Sequence, residues 1–346
     1  MRSVHSFDQA RGRLFIYLPK GRVNLAHAPK VNNRLRDHGA HLLGLVASAP
    51  YNRVVPELPD LAIVADAFHA ALAGRRVLDV AAPGPLTVRG TPAEMSALVG
   101  QRLERFYRRG KFLWLEFERD RIAINAMLTG RLQLAASAAV KKPQKTMFVL
   151  RFGAREQVHA GVASWTSGAT WIPDPDATPE LRYRDPTQMG KVYVLPSGVD
   201  RPVPGSGETD MGPDADDPAL TLDVWRARIR RHPGELKNLL RNQEFVAGIG
   251  NAYSDEILHA ARLQPFRKRG TLAPEEVDEL YAATRATLCN AIAVLRERVP
   301  PSFETELRAF LAVHNHGGEP CPMCGQRITQ TEAGGFTTSY CRHCQR

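Results

Sequence analysis

Residues 245–258, FVAGIGNAYSDEIL, place a Gly-x-Gly-Asn turn between two runs of helical character. Asn251 is a residue type that often caps a helix, and it would begin the second helix here. Gly248 and Gly250 allow another backbone or a ligand to approach closely, and amides at a helix N-terminus are well placed to bind a phosphate. An ordinary capped turn would have the same sequence, so the turn alone does not decide between the two.

The sequence around this turn continues the helical pattern from Leu220 to Val313. Apolar residues recur there at spacings of three and four, which is typical of helices that bury one face. They include Leu236, Leu239, Leu240, Ile257, Leu258, Ala261, Leu280, Ala283 and Leu288. The pattern predicts a helical domain over residues 219–313, and Cys289 is expected to be buried in its core.

The preceding part of the chain predicts one helix followed by strands. Leu61, Val64, Phe68 and Leu72 recur at helical spacing, and Gly74 is a suitable C-cap. Short runs with strand character then follow at residues 77–80, 112–117, 122–126, 147–152 and 192–195. We expect a β-sandwich or barrel over residues 56–195. Residues 196–218 are rich in Pro, Gly, Ser and acids, which predicts a flexible linker and a domain boundary.

Residues 1–55 carry most of the positive charge. They contain nine Lys or Arg against two Asp or Glu, a balance of +7 in a chain of net charge +10. Bulk basicity therefore gives little support to DNA binding by the main body. The segment lacks a sustained apolar period and is expected to be a poorly ordered extension. No apolar run approaches the roughly 18 residues that span a bilayer, so a soluble, unsecreted protein is expected.

Four of the five cysteines form two Cys-x2-Cys pairs near the C-terminus. Cys321 and Cys324 are followed, sixteen residues later, by Cys341 and Cys344. This spacing is typical of a zinc ribbon, because each turn directs two thiolates at one tetrahedral ion. Four protein ligands leave no position for water, so one structural zinc ion in residues 314–346 is predicted. A zinc hairpin serves either DNA or a protein partner, and its spacing does not distinguish them.

Five motifs occur together in a characteristic order. They are Pro56-Glu-Leu-Pro-Asp60, Arg108-Arg-Gly-Lys111, Lys237 fourteen residues before Asn251, the Gly-x-Gly-Asn turn and the zinc ribbon. In this order the chain resembles the formamidopyrimidine-DNA glycosylases and their endonuclease VIII relatives, from about Pro56 to Arg346. The resemblance implies an α+β multidomain protein with an N-terminal β-sandwich, a helix-two-turns-helix domain and a C-terminal zinc finger.

The resemblance also implies the chemistry. Pro56 would attack the sugar of a damaged nucleotide as an N-terminal amine, and Glu57 would transfer protons. Lys111, Lys237, Gly250 and Asn251 match positions that grip the DNA backbone around the lesion. Taken singly, Lys111 or Lys237 would more often be a solvated surface lysine.

The nucleophile requires a free amine, whereas Pro56 lies inside the chain as numbered. We expect translation to begin at Val55, with residues 1–54 an upstream misannotation. The alternatives are proteolytic exposure of Pro56, or a noncatalytic relative with a real basic arm.

Several positions depart from the family pattern. Asp60, which the resemblance places among the DNA-binding residues, is one methylene shorter than the usual Glu, and Ala62 replaces the next acid. Phe336 stands where an arginine is expected in the zinc hairpin, and it could stack on a base or sugar instead. Leu128 and Met189 stand near positions that fill the vacated base stack, as apolar wedges or as core residues. Thr187 lies where the arginine facing the orphaned base would fall.

The sequence therefore predicts a bifunctional DNA glycosylase and abasic-site lyase of base excision repair, which removes damaged and especially oxidised bases. It is expected to be a monomer in the bacterial cytoplasm, associated with the nucleoid. A catalytically inactive damaged-DNA-binding relative is the alternative. A zinc-ribbon protein-interaction factor would leave Lys111 and the turn unexplained.

Overall fold

The computed structural model describes residues 5–8, 13–16, 55–156, 165, 169–207, 211–333 and 335–346. The chain divides into one unit of residues 1–52 and a second of residues 53–346. In the first unit, β1 (His5–Asp8) and β2 (Arg13–Ile16) form an antiparallel hairpin. The other residues before Val55 lie outside the described ranges, so the expectation of a poorly ordered or misannotated extension stays a prediction.

The second unit begins with helix α1 (Leu58–Leu72). The side chain of Asp60 accepts a hydrogen bond from the Glu57 amide at 2.8 Å, which fixes the first turn. The helix ends at Ala73, and Gly74 follows with a φ of 83°, the left-handed conformation expected of a C-terminal glycine. Phe68 is fully buried, as the helical period predicts.

Two sheets pack against each other over a shared apolar core, as predicted for a β-sandwich. Their strands, with one short helix, are β3 (Arg75–Ala81), β4 (Val88–Arg89), α2 (Pro92–Ser96), β5 (Leu103–Arg109), β6 (Phe112–Phe117), β7 (Arg121–Asn125), β8 (Arg131–Ala135), β9 (Thr146–Arg155), β10 (Glu180–Arg184) and β11 (Lys191–Leu195). One sheet has the order β3-β9-β10-β8 and the other β4-β11-β7-β6-β5. All neighbours are antiparallel except β4 and β11.

Four of these strands, β4, β5, β8 and β10, were not predicted; in β5 and β10 charged residues interrupt the apolar pattern. In β10, Arg182 is fully buried beside Glu180, and its guanidinium lies 2.7 Å from that carboxylate. It also donates to the carbonyls of Lys141 and Val140. A charged side chain can occupy a sheet interior when its donors are all matched in this way.

The helical part contains α3 (Leu222–Arg231), α4 (Leu236–Arg241), α5 (Asn251–Ala260) and the long α6 (Pro274–Arg298). Its core includes Trp225, whose ring centroid lies 4.8 Å from that of Phe245. The predicted helical domain is therefore present. Cys289, in contrast, is exposed on α6, so the expectation that it is buried was wrong.

The last element is the hairpin of β12 (Thr329–Ala333) and β13 (Phe336–Tyr340), which follows the first cysteine pair. Among the described residues, no helix is both long and apolar enough to cross a membrane.

The end of the predicted linker is packed. Asp214 accepts hydrogen bonds from the Arg108 side chain at 2.8 Å and the Gly110 amide at 2.7 Å. Asp216 forms a second ion pair with Arg108 at 2.6 Å, and Met211 is buried against Phe112. Residues 211–217 therefore connect the sandwich to the helical part instead of forming an open linker.

Candidate active site and nucleic-acid interface

The carboxylate of Glu57 is bound by the turn that precedes α5. Its Oε2 accepts hydrogen bonds from the amides of Gly250 at 2.6 Å and Tyr253 at 3.2 Å, and its Oε1 accepts one from Ala252 at 2.8 Å. A Cβ at residue 250 would lie 2.5 Å from the Glu57 carboxyl carbon, so only glycine permits this approach. The residue after Pro56 is thereby immobilised by a helix N-terminus, where a negative charge is stabilised.

This arrangement corrects two expectations about the turn. The amides of Gly250, Ala252 and Tyr253 bind the Glu57 carboxylate and are not open to a phosphate. Gly250, and not Asn251, is the N-cap of α5, and Asn251 is the first helical residue. The side chain of Asn251 instead donates to the carbonyl of Thr337 in the zinc hairpin at 2.9 Å.

Pro56 lines a small, mainly apolar cavity between α1, the sandwich and the segment after α6. Asp60, Arg131 and Glu306 also line it. Glu306 pairs with Arg131 at 2.5 Å, and its other carboxylate oxygen is buried with no hydrogen-bond partner among the described residues. Burial is the main cause that raises the pKa of Glu306, to about 7. No local pattern indicates Glu306, because its ion pair with Arg131 joins two distant segments of the chain.

Asp60 faces Arg308 and not an open surface. Its two oxygens lie 2.6 and 2.7 Å from the guanidinium of Arg308, which also lies over the ring of Tyr253. The predicted DNA contact of Asp60 would require this ion pair to open. The shorter side chain of Asp60 therefore forms an ion pair with Arg308, which no sequence pattern indicated.

Lys111 lies at the turn between β5 and β6, in the electrostatic field of Glu57 and Arg241. Burial is the main cause that lowers the pKa of Lys111; Glu57 opposes this shift and Arg241 adds to it. The structure therefore places Lys111 within electrostatic range of the carboxylate beside Pro56, and its contact with the DNA backbone stays a prediction.

Lys237 is buried on α4, where a solvated side chain was the ordinary expectation. Its ammonium donates to Asp255 at 2.6 Å and to the carbonyl of Thr337 at 2.7 Å. Burial lowers the pKa of Lys237, and the ion pair with Asp255 opposes that shift. Lys237 and Asn251 thus meet at one carbonyl of the hairpin.

Asp255 connects α4, α5 and the hairpin. It is fully buried, and its second oxygen contacts the Nδ1 of His314 at 2.8 Å and the amide of Ser339 at 3.1 Å. The adjacent Glu256 accepts the amides of residues 312–314 at 2.7–2.9 Å. Two consecutive acids of α5 therefore fix the C-terminal segment in place.

The four clustered cysteines can bind a metal ion. Their Sγ atoms all lie within 4.8 Å of one another. The Cys321–Cys344 and Cys324–Cys341 sulfur distances are 3.9 and 3.6 Å. A tetrahedral ion with metal–sulfur bonds of about 2.3 Å places its ligands about 3.8 Å apart, so the four thiols fit such a site. The Nε2 of His259 lies 3.3 Å from the Cys321 sulfur, where it can orient that ligand.

The two candidate wedges lie on loops that are hydrogen-bonded to each other. Thr129 contacts Thr187 at 2.6 Å, and the side chain of Asp185 accepts from both. Met189 is 45% exposed, so it is not a core residue. Leu128 is half-buried, whereas its neighbour Met127, which was not predicted, is 39% exposed and has a φ of 50°.

Phe336 is 45% exposed at the start of β13. The guanidinium of Arg241 lies over its ring, 3.7 Å from the centroid. One face of the ring is therefore covered, and only the other is open for a base or sugar.

Comparisons with known proteins identify relatives of this chain. A sequence model of the formamidopyrimidine-DNA glycosylase N-terminal domain matches residues 55–192, and a model of the H2TH domain of the same glycosylase matches residues 211–299. The formamidopyrimidine-DNA glycosylase of Exiguobacterium sibiricum is 29% identical over 298 residues, which cover 84% of this chain and 99% of that protein. The enzyme of Geobacillus kaustophilus is 29% identical over 301 residues, with 84% and 100% covered.

Solved structures have the same fold. The MutM (Fpg) protein from Thermus thermophilus superposes with a TM-score of 0.66 at 25% identity, covering 84% of this chain and 98% of its own. The Fpg protein of Lactococcus lactis in complex with DNA containing an abasic site gives a TM-score of 0.69 at 22% identity, with 84% and 99% covered. Since the two domain models follow each other in order and match most of the residues, the chain belongs to the formamidopyrimidine-DNA glycosylase family.

Proposed function

We propose that this protein is a DNA glycosylase and abasic-site lyase of base excision repair, acting through Pro56 and Glu57. The observation that carries the proposal is the Glu57 carboxylate, which three amides of the α5 turn hold directly beside Pro56. Lys111 and Arg241 add positive charge around it. An immobilised acid beside a nucleophile, within a cationic surround, suits chemistry on a polyanion.

A proline amine suits this reaction because an α-amino group titrates at about 7.7–8.0, against about 10.4 for lysine. At neutral pH a useful fraction is unprotonated. The Pro56 nitrogen would bond to the sugar C1′ while the bond from C1′ to the base breaks, and the Glu57 carboxylate would take the proton that this nitrogen loses and pass it to the sugar or the departing base. Ring opening gives an iminium ion, whose formation acidifies the C2′ protons, and successive eliminations of the 3′ and 5′ phosphates then cut the strand.

This chemistry requires Pro56 to carry a free amine, so we propose an active form that begins at Pro56. The family domain model begins its match at residue 55, and the relatives' almost complete lengths align with 84% of this chain. A start at Val55 followed by its removal is the simplest route to that form. Proteolytic exposure of Pro56 is the alternative.

The remaining assignments follow from position. Lys111, Lys237 and Asn251 would contact the DNA backbone, with Lys237 and Asn251 held at the Thr337 carbonyl. Gly250 would act by admitting Glu57 to the turn and not by binding phosphate with its amide. Leu128 and Met189, together with Met127, would contact the bases near the lesion, and Phe336, with one ring face covered by Arg241, would lie beside the DNA backbone.

The four cysteines would hold one structural zinc ion, because the sulfur separations fit a tetrahedral site and no ligand position remains for water. The ion would stabilise the fold of the hairpin that carries Thr337, and therefore the anchor of Lys237 and Asn251. We propose damaged, and especially oxidised, bases in duplex DNA as substrates, and a monomer acting on the bacterial nucleoid in the cytoplasm.

The test is borohydride trapping on an oligonucleotide with an abasic site, because reduction converts an iminium ion into a covalent adduct. We expect an adduct with protein that begins at Pro56, mapped to its N-terminal residue, and none with the 346-residue form, in which the Pro56 nitrogen is an amide. If no form is trapped while all bind the DNA, a catalytically inactive damaged-DNA-binding protein replaces the proposed enzyme. Trapping of the Pro56→Gly variant at another residue would transfer the nucleophile role.

A further inference from the structure

We infer that Arg241 binds a DNA phosphate beside the active site, and that Phe336 is the platform that positions it. The inference rests on the proposed function, because it assigns a residue to the DNA interface of that site. Arg241 lies at the end of α4, one helical turn after Lys237. It was not among the residues that the sequence patterns singled out.

The guanidinium of Arg241 has one well-defined contact. It lies 3.7 Å from the centroid of the Phe336 ring. Both side chains line the same open cavity. Within the part of the chain that the structure describes, no hydrogen bond or ion pair to this guanidinium is found. A planar group with five donors that is held only by its face is oriented for an acceptor that approaches along its edge.

The nearby carboxylates do not supply that acceptor. Both Glu57 and Asp255 attract Arg241 electrostatically. However, the oxygens of Glu57 accept three backbone amides, and those of Asp255 accept Lys237, His314 and the Ser339 amide. Each carboxylate is therefore already satisfied, and Arg241 is free to bind an external anion.

The charge around the cavity favours an anion. Two cations, Lys237 and Arg241, line the cavity against the carboxylate of Glu235, and Lys111 adds positive charge nearby. Burial is the main cause that lowers the pKa of Arg241, and an added anion would reverse that penalty. A phosphodiester matches the guanidinium edge with two oxygens and brings the missing charge.

Phe336 explains how one arginine is held in this place. The aromatic ring covers the guanidinium face, which restricts its rotation without using its donors. Phe266 lines the same cavity and packs edge-on against Tyr340, at the other end of the strand that begins with Phe336. Phe336 is accordingly a positioning residue, and α4 supplies the charge that the hairpin lacks at residue 336.

The test measures binding to a duplex with a tetrahydrofuran abasic-site analogue over a range of salt concentrations. For Arg241→Ala we expect a dissociation constant raised roughly 10-fold or more. The slope of log affinity against log salt should also fall in magnitude by about 0.9, the value for one phosphate contact. Arg241→Lys should keep the slope and lose affinity only in part. Phe336→Ala should keep the slope and lose about 2- to 5-fold in affinity.

Arg105→Ala is the matched control, because Arg105 also lies over an aromatic ring, 4.4 Å from the centroid of Tyr107, in the sandwich. It should change neither affinity nor slope. An equal effect of Arg105→Ala would assign the loss to bulk charge and overturn the inference, as would wild-type affinity and slope in Arg241→Ala.

The double variant Arg241→Ala/Phe336→Ala tests the platform. It should bind no more weakly than Arg241→Ala alone, because Phe336 acts through the arginine, and additive losses would refute that role. The binding assay does not depend on Pro56. A wild-type protein that binds with the expected salt slope but cannot be trapped would therefore refute the proposed enzyme and leave the inference standing.

Discussion

Replacing Glu57 by glutamine should lower both stability and activity. Glutamine retains the shape of the side chain but has one acceptor oxygen where the carboxylate has two, and its amide group would face a backbone donor. At least one of the three amides at the α5 turn would lose its partner. A hydrogen bond to a charged group contributes about 1.5–3 kcal/mol, and an unpaired buried donor costs about 1–3 kcal/mol. These terms overlap, so we expect a loss of about 2–4 kcal/mol in the free energy of unfolding.

In a chain of this size such a loss lowers the melting temperature by roughly 4–8 °C. Single-turnover excision, measured with the Pro56-first protein at a temperature where both proteins are folded, should fall about 100-fold or more because the group that transfers the proton is lost. Calorimetry and excision together separate the two effects.

Glu256→Gln is the matched control, since Glu256 is also buried and also accepts three backbone amides, but at the segment before the zinc site. It should lower the melting temperature without a comparable loss of excision. Wild-type excision by Glu57→Gln would refute the catalytic role. An equal loss in both variants would mean that the effect is structural. An unchanged melting temperature in Glu57→Gln would refute the stability estimate.

Three further outcomes follow from the structure. Removing zinc with a chelator should abolish binding to abasic-site DNA and make the hairpin sensitive to protease, because Thr337 anchors Lys237 and Asn251; binding that persists without the metal would contradict this. Glu306 has a folded-state pKa raised to about 7, above its unfolded value, so its contribution is present at acidic pH and lost as pH rises through 7. Glu306→Gln should therefore be more stable than wild type at pH 8 by up to about 3 kcal/mol and lose that advantage near pH 5, and a difference independent of pH would refute the assignment. Met189→Ala should slow excision from duplex DNA about 10-fold while leaving single-stranded DNA and the melting temperature unaffected, since the side chain is 45% exposed; equal slowing on both substrates would exclude a wedge.

The parts of this protein that sequence reasoning predicted are those set by local pattern. The apolar period of α1, the strands at residues 112–117 and the two cysteine pairs each specify their structure over a few residues. The order of the five motifs along the chain then indicated the family. Strand β10 was missed because its two buried charges, Glu180 and Arg182, neutralise each other only across the folded sheet.

The parts that could not be predicted depend on partners far apart in the chain. The amides at the α5 turn have the geometry of a phosphate site, but the anion that fills them is 193 residues away, at Glu57. Lys237 has the sequence context of a surface lysine, and only the fold places Asp255 and Thr337 around it. Arg241 gained significance only from the ring of Phe336, which belongs to another element.

The hydrogen bonds between Glu57 and the α5 turn make the active site depend on two parts of the protein that are far apart in the sequence. Pro56 and Glu57 precede the sandwich, yet the helical part holds their orientation, with the Leu58 amide also donating to the carbonyl of Gly248 at 2.9 Å. A sandwich domain produced alone would contain Pro56 but would lack the amides of the helical part that orient Glu57 beside it. The two halves therefore cannot be inherited or exchanged independently, because each carries an incomplete half of one active site.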